Sequence, residues 1–469
     1  MRFAHLPVAV LLAMPPVALA QADAPASPKP LLQSIANDVQ ADALRATITK
    51  LVGFGTRHTM SDTVSDTRGI GAARRWVKAR FEQIGKDCKG CLQVETPEQS
   101  VTGERIPTPT TIMDVLAIQR GSDHRDGQPD RVIVISGHLD SRVRDVMDAK
   151  SDAPGADDDG SGSAAVLEAA RVLSKHQFRA TLVYAVLSGE EQGLYGGKLL
   201  AQTAHDAHWN VEAALNNDIV GNTLGTNGVR IDSYVRVFSE GTRSTETPEQ
   251  ANTRRYGGGE VDSPSRNLAR FIDGLADAYL KDFHARMVYR TDRFHRGGDQ
   301  VPMLAMGYPA VRFTEAIENY TREHQDVRTE NGVHYGDVLD AVDFDYLAKV
   351  TRLNAITMAA LAMAPAPPAQ VKTDGAVTMD TTVSWTAVPA AASYRVWWRD
   401  TTAPRWDAST SRPASGATSL VLKDVNIDDW FFGVSSVSAD GWESPVEFPG
   451  DAGAFRAATE NDASTKRAP

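Results

Sequence analysis

The sequence predicts an α/β fold, a mixed and mostly parallel sheet flanked by helices, followed by a small C-terminal β-sandwich. Two observations carry the first part. From about residue 111, apolar runs typical of strands buried on both faces alternate with helix-like segments, and acidic or histidine-bearing motifs stand at the ends of those runs. A third carries the second part: the Pro/Ala cluster "MAPAPPAQ" at 363–370 is followed by short alternating strands separated by turn residues.

Taken in order, the chain of 469 residues, 42% of them hydrophobic, is long enough for a large core and more than one domain. Met1-Arg2, the apolar stretch from Val8 to Ala13 and Ala18-Leu19-Ala20 before Gln21 read as an export signal over 1–20. The rival reading, a membrane anchor, meets an apolar core that is short and broken by Pro15-Pro16. With no later spanning run, a soluble secreted or periplasmic protein is expected. Residues 21–30, "QADAPASPKP", form a flexible leader.

The first domain is expected over 31–363. Leu32, Ile35 and Val39, then Ile70, Ala73, Trp76, Val77, Phe81 and Ile84, are one-sided helical stripes. Cys88 and Cys91 in "DCKGCLQ" can close a small disulfide loop in an oxidising compartment. A thioredoxin-like redox role lacks the strand and helix to frame it, and two thiols do not make a structural zinc site. "TIMDVLAI", "RVIVISG", "ATLVYAVLS", "VEAALNN", "RIDSYVRVF" and "PAVRF" read as strands. "SGSAAVLEAARVL", 265–280 and 343–362 read as helices.

After a linker at 364–370, "TTVSWTAV", "ASYRVWWRD", "TSLVLKDV" and "WFFGVSSVS" give a β-sandwich over 371–450. The spacing of Trp385 and Tyr394 resembles that of a fibronectin type III module. Trp397, Trp398, Trp406, Trp430 and Trp442 are either surface anchors or core packing. The polar, Ala-rich 451–469 reads as a disordered tail.

The net charge of -11 and the lack of a basic stripe count against a nucleic-acid partner. The chemistry lies in five motifs: "SGHLDS" with His138 and Asp140, "GADDDGSG" with Asp158, "SGEEQGLYG" with Glu190 and Glu191, "LNNDIVG" with Asp218, and "ENYTREHQDV" with His324. In a parallel sheet these strand ends meet on one rim, where the carboxylates repel one another unless protonated or neutralised. Mixed His/Asp/Glu ligation suits zinc. Three carboxylate ligands and a bridging hydroxide carry about four negative charges, which two divalent ions balance.

The ordered set "GHLDS", "GADDDGSG", "SGEEQGLYG" and the later Asp, within 31–362, resembles the secreted di-zinc aminopeptidases of metallopeptidase clan MH, family twenty-eight. The resemblance implies a zinc exopeptidase fold and two Zn2+ per chain. His138 and Asp218 would hold one ion, Glu191 and His324 the other, and Asp158 would bridge both. Asp140 would fix the His138 ring, and the peptide after Asp158 would be cis. Asp157 and Asp159 would shape the loop. Glu190, diverging from Glu191 along an extended strand end, would be the general base that takes a proton from the bridging water and returns it to the leaving amine.

His334 and His295 are rivals to His324, which departs from the family's usual Tyr-His-Thr-like setting, and Gln300 stands where relatives often carry His beside Asp299. The expected activity is removal of N-terminal residues from peptides with a free N-terminus, the first side chain entering an apolar pocket that the sequence does not place. Carboxypeptidase or glutaminyl cyclase activity on the same fold is the alternative, the cyclase with one metal. A non-catalytic binding protein, docking through its C-terminal module on polysaccharide, a surface or a partner, is the reading from another class.

Overall fold

The structure is a computed structural model that describes residues 29–124 and 130–455. The expected export signal, the leader through residue 28 and the tail beyond residue 455 lie outside the described residues.

The first domain runs α1 (Pro30–Asp38), α2 (Ala41–Val52), α3 (Gly69–Asp87), β1 (Gln93–Glu95), β2 (Glu98–Gly103), β3 (Ile106–Met113), β4 (Val115–Gln119), β5 (Arg131–His138), α4 (Gly160–Leu173), β6 (Thr181–Leu187), α5 (Tyr195–Asp206) and β7 (Asn210–Asn217). It continues through β8 (Tyr234–Phe238), α6 (Pro248–Gly257), α7 (Pro264–Tyr279), β9 (His284–Val288), α8 (Gln300–Ala305), β10 (Ala310–Thr314), β11 (Arg328–Glu330), β12 (Val333–Tyr335) and α9 (Phe344–Met363). Pro30, which the sequence placed in the leader, is the first residue of α1, with Lys29 at the N-cap position. Cys88 and Cys91 are joined in a disulfide after α3.

Eight strands form one mixed, mostly parallel sheet in the order β1-β4-β6-β5-β7-β10-β8-β9. Its centre, β6-β5-β7-β10, is parallel throughout. The pairings of His138 with Leu187 and of Ser136 with Asn216 bring three strands to their carboxyl ends at one level. That alignment gathers the loops after β5, β6 and β7 on one rim, where a parallel sheet leaves its crevice.

The apolar runs of β5, β6 and β7 are buried because helices cover both faces. On one side α1, α2, α3, α4, α7 and α9 enclose a core that includes Ile48, Phe81, Val166, Ile272 and Leu353; on the other α5 and α8 pack Leu200, Ala204 and Met303 against the sheet. Burying each such Leu, Ile or Met side chain stabilises the fold by roughly 1.5–3 kcal/mol. Among the described residues no helix is long and apolar enough to cross a membrane.

Several elements depart from expectation. The strand read over 111–118 is cut at Asp114, whose carboxylate accepts the Ser188 N–H, so 111–113 belong to the β2–β3 hairpin and only 115–118 to the main sheet. The strand read over 230–238 begins only at Tyr234.

Beyond α9 the chain forms two three-stranded antiparallel sheets. The first contains β13 (Ala369–Asp374), β14 (Thr381–Thr386) and β17 (Ser419–Leu422); the second contains β15 (Ser393–Asp400), β16 (Ser411–Ser415) and β18 (Trp430–Val437). Val383, Trp385, Tyr394, Val396, Phe432 and Val434 fill the space between them. Trp442 is buried, and Trp397, Trp398, Trp406 and Trp430 are half-buried, so none of these tryptophans stands as an exposed anchor. Residues 451–455 continue as a turn that ends in buried Phe455. This module meets the segment just before α7 through Arg399, whose guanidinium grips both oxygens of fully buried Asp262 at 2.7 and 2.8 Å.

Candidate metal centre

His138 is the last residue of β5, and the strand's end points its ring at the rim. Its Nδ1 lies 3.0 Å from the main-chain oxygen of Asp140, while the Asp140 carboxylate stands 3.7 Å away. The carbonyl therefore sets the ring, and with Nδ1 donating, Nε2 presents a lone pair. The Asp140 carboxylate also accepts the N–H groups of Gly189, Glu190 and Glu191 at 2.8, 3.3 and 3.1 Å and the Thr59 hydroxyl at 2.9 Å.

Those three N–H groups explain why Glu190 and Glu191 stand in a turn rather than at the extended strand end the sequence suggested. Gly189, at φ +81, starts the curl, and the convergence of its amide and the next two on one carboxylate completes it. The two glutamates separate because the chain turns, and both line one cleft.

Asp158 arrives on the loop before α4. Arg57, fully buried, donates to the carbonyls of Leu139 and Gly155 at 2.7 and 2.8 Å and ties that loop to the end of β5. Gly155 has φ +54 and a Cβ there would stand 2.4 Å from the Ser141 Cβ, so glycine is required. The Asp158–Asp159 peptide is cis. Of the neighbouring acids, Asp159 accepts the N–H groups of His138 and Gly162 at 2.8 Å each, capping α4, and Asp157 accepts that of Gly221 at 2.7 Å. Asp337, from the far side, accepts the Asp158 N–H at 2.7 Å.

Asp158 then stands between two histidines from distant parts of the chain. Its Oδ1 is 3.2 Å from His138 Nε2 and its Oδ2 is 2.8 Å from His324 Nε2. Asp218, just past β7, lies 3.8 Å from His138 Nε2, and Glu191 lies 3.1 Å from His324 Nε2. Two groups of donor atoms, His138/Asp158/Asp218 and Asp158/Glu323/His324, each lie within a 4.8 Å span. All five expected ligands are thus brought together. His334 is exposed on the β11–β12 hairpin, bonded to Thr329, and His295 lines the cleft.

The electrostatics of this nest favour cations. Burial works against protonating His138, yet the carboxylates of Asp159, Asp140, Asp158 and Asp218 overcome it and hold the ring well above the usual histidine range. Burial likewise opposes a charged His324, and Glu191 and Asp158 raise it to about 10. A field that binds protons so strongly binds a divalent ion for the same reason. His138 Nε2 and Glu191 Oε1 are buried atoms without a hydrogen-bond partner among the described residues. Burying them unpaired is costly, and metal coordination would satisfy both. The nitrogen and oxygen donor set fits zinc.

Glu190 is raised well above the usual carboxylate range by burial, with Asp218, Glu191 and Asp299 adding to the shift against the pull of His138. Asp218 moves the other way: burial would raise it, but Arg312, whose Nη1 is 2.8 Å from its Oδ2, carries it down to about 2.

Sequence reasoning missed the cations around the acids. Arg142 donates to Glu191 Oε2 at 2.7 Å and its other end bonds His324 Nδ1. Glu323 stands beside His324, held by Arg296, with one buried oxygen unpaired. Its place next to His324 was the available signal. Gln300 donates to Asp292 at 2.6 Å, which in turn faces Arg312 and Arg293, so it acts behind Asp218 and not in the cleft.

Comparison with known proteins agrees with this architecture. The chain is 44% identical over 427 residues, covering 90% of its length and 97% of the relative, to a probable zinc metalloprotease of Leptosphaeria maculans. It is 43% identical over 432 residues, 91% of its length and 88% of the relative, to one of Pyrenophora teres f. teres. Among solved structures, LapB from Legionella pneumophila shares the fold at a TM-score of 0.51 and 18% identity, over 72% of this chain and 76% of that one. The LapA aminopeptidase of the same organism does so at 0.50 and 19%, over 71% and 74%. The model of peptidase family M28 matches residues 114–356, the stretch that carries every residue of the nest, and the chain belongs to that family.

Proposed function

We propose that the chain is an exported two-zinc aminopeptidase that removes N-terminal residues from peptides with a free N-terminus. The observation that carries the reading is the position of Asp158, one carboxylate oxygen toward His138 and the other toward His324. In this reading His138 and Asp218 would hold one ion, His324 and Glu191 the other, and Asp158 would contribute to both. Zinc bound there would act as a Lewis acid, lowering the pKa of water and polarising the scissile carbonyl.

The residues of the chain do the rest. Glu190, facing the same cleft as Asp158 and Asp218, takes the proton of the attacking water on its carboxylate and delivers it to the leaving amine. Arg312 keeps Asp218 ionised, and Arg142 orients Glu191 through one oxygen, leaving the other for the metal. Asp140 acts as a positioning residue by holding the turn that bears both glutamates. The shared fold of the LapA aminopeptidase is consistent with exopeptidase chemistry.

The test is hydrolysis of a panel of aminoacyl amides and their N-acetylated counterparts by the full chain purified without its first 20 residues, with and without a chelator. Cleavage of the free-amine substrates alone, lost with chelator and restored by zinc, is expected. Equal cleavage of blocked substrates, or cleavage that the chelator leaves unchanged, would overturn the reading.

A further inference from the structure

The cleft above the metal nest, about 410 Å³, offers one aliphatic side chain among the described residues that line it. Leu194 is its apolar side chain among the described residues, beside Gly193 and Gly297. What surrounds the metal-binding acids and Glu190 is instead basic: Arg105 and Arg142 on one side, Arg293 and Arg296 on the other.

These arginines are not equally occupied. Arg142 is engaged with Glu191 and His324, and Arg296 with Glu318 and Glu323. Arg293 is held from behind, its Nε 3.2 Å from Asp292, and its side chain is only 8% exposed. Its Nη1 is buried and makes no hydrogen bond, with Glu318 and Glu323 at 3.6 and 3.8 Å. Arg105 projects from the turn between β2 and β3, over the cleft. It donates to the main-chain oxygen of Glu191 at 3.0 Å and forms no ion pair among the described residues.

A guanidinium carries five N–H donors, and one hydrogen bond leaves most of the Arg105 fork unused. Metal ions would cancel the charge of Asp158, Glu191 and Asp218, and of the four cleft arginines Arg105 is the one left without an acidic partner among the described residues. Arg105 is exposed, so its unused N–H groups face water, and a carboxylate can take them in charge-assisted, two-pronged bonds that a neutral or basic group does not offer.

We infer that the cleft selects peptides with a carboxylate beside the scissile bond, held by Arg105 from the hairpin. This deepens the peptidase reading and rests on it. Two substrate groups share the chemistry: the side chain of an acidic N-terminal residue, and the terminal α-carboxylate of a short peptide.

Binding separates them without turnover. The full chain carrying Glu190→Gln, with zinc in the buffer, is titrated calorimetrically with Glu-Ala-amide, Gln-Ala-amide, Ala-Ala and Ala-Ala-amide. An acidic side chain as the ligand makes Glu-Ala-amide bind about tenfold tighter than Gln-Ala-amide; a terminal carboxylate makes Ala-Ala bind about tenfold tighter than its amide. Arg105→Gln should bring the favoured ratio close to one, Arg105→Lys should restore part of it, and added salt should weaken it. In the active enzyme the same preference should appear in KM rather than kcat. Ratios near one in the parent, or ratios that Arg105→Gln leaves intact, would overturn the inference. Failure of the wild-type chain to hydrolyse any free-amine substrate would instead sink the aminopeptidase reading, with the binding comparison still readable.

Discussion

Asp140 accepts the main-chain N–H of Glu191 at 3.1 Å, so the carboxylate two residues beyond His138 grips the turn that carries another residue of the nest. It also holds the amides of Gly189 and Glu190. Asp140→Asn places an NH2 group against donors, breaking part of that grip. Turnover should fall by about 10²-fold and zinc affinity by about 10- to 100-fold, the range for partners that orient ligands. Steady-state kinetics and zinc titration check this; a variant with wild-type values for both would show that the turn holds itself.

Glu190→Gln removes the proposed base and leaves the five ligands in place. Turnover should drop by about 10²- to 10⁴-fold while zinc content stays at the wild-type level. Rate measurement together with metal analysis of the same sample tests it. A rate near wild type would reassign the proton transfer.

Stability should depend on pH through Glu240, in the loop after β8. Burial lifts this carboxyl to about 7, against opposing pulls from Arg243 and the Ser244 N–H. Its folded pKa is above the ordinary value of 4.5, so the folded state holds the proton more tightly than the unfolded chain. Stability is therefore fullest below about pH 4.5, falls as pH rises toward 7 and levels off above it. Glu240→Gln should lose that dependence, gaining about 2–3 kcal/mol on wild type between pH 5 and pH 8. Denaturant melts at the two pH values decide, and parallel wild-type and variant curves would contradict the assignment.

One contact between the C-terminal module and the first domain is a buried charge pair, Arg399 with Asp262 just before α7. Asp262 is fully buried and is held by both Arg399 and Arg270. Arg399→Ala should destabilise the chain by about 2–4 kcal/mol, less than an isolated buried pair at its maximum because Arg270 remains, and Asp262→Asn with Arg399→Met should recover part of the loss. A midpoint unchanged in Arg399→Ala would show that the two units are held by other contacts.

The sheet's centre and the nest were legible for the same reason. β5, β6 and β7 are buried on both faces, so their sequences are continuous apolar runs, and the polar residue that ends each run stands out, as His138 and Asp218 do. The β2–β3 hairpin and edge strand β9 escaped because their exposed faces break that pattern, as "EQSVTG" and "HARMV" do. The arginines around the acids left no signal at all. Arg142 meets His324 across 182 positions of sequence, and such a pair has no local period to betray it. The turn at Glu190 was misread as strand because its cause, the Asp140 carboxylate, lies 50 residues away.

The account depends most on Asp158 serving two ions at once, and metal counting by equilibrium dialysis with zinc tests that directly. Wild type should hold two ions per chain, His138→Ala and His324→Ala about one each, and Asp158→Ala should lose tight binding of both. One ion in wild type, or two retained tightly by Asp158→Ala, would contradict it.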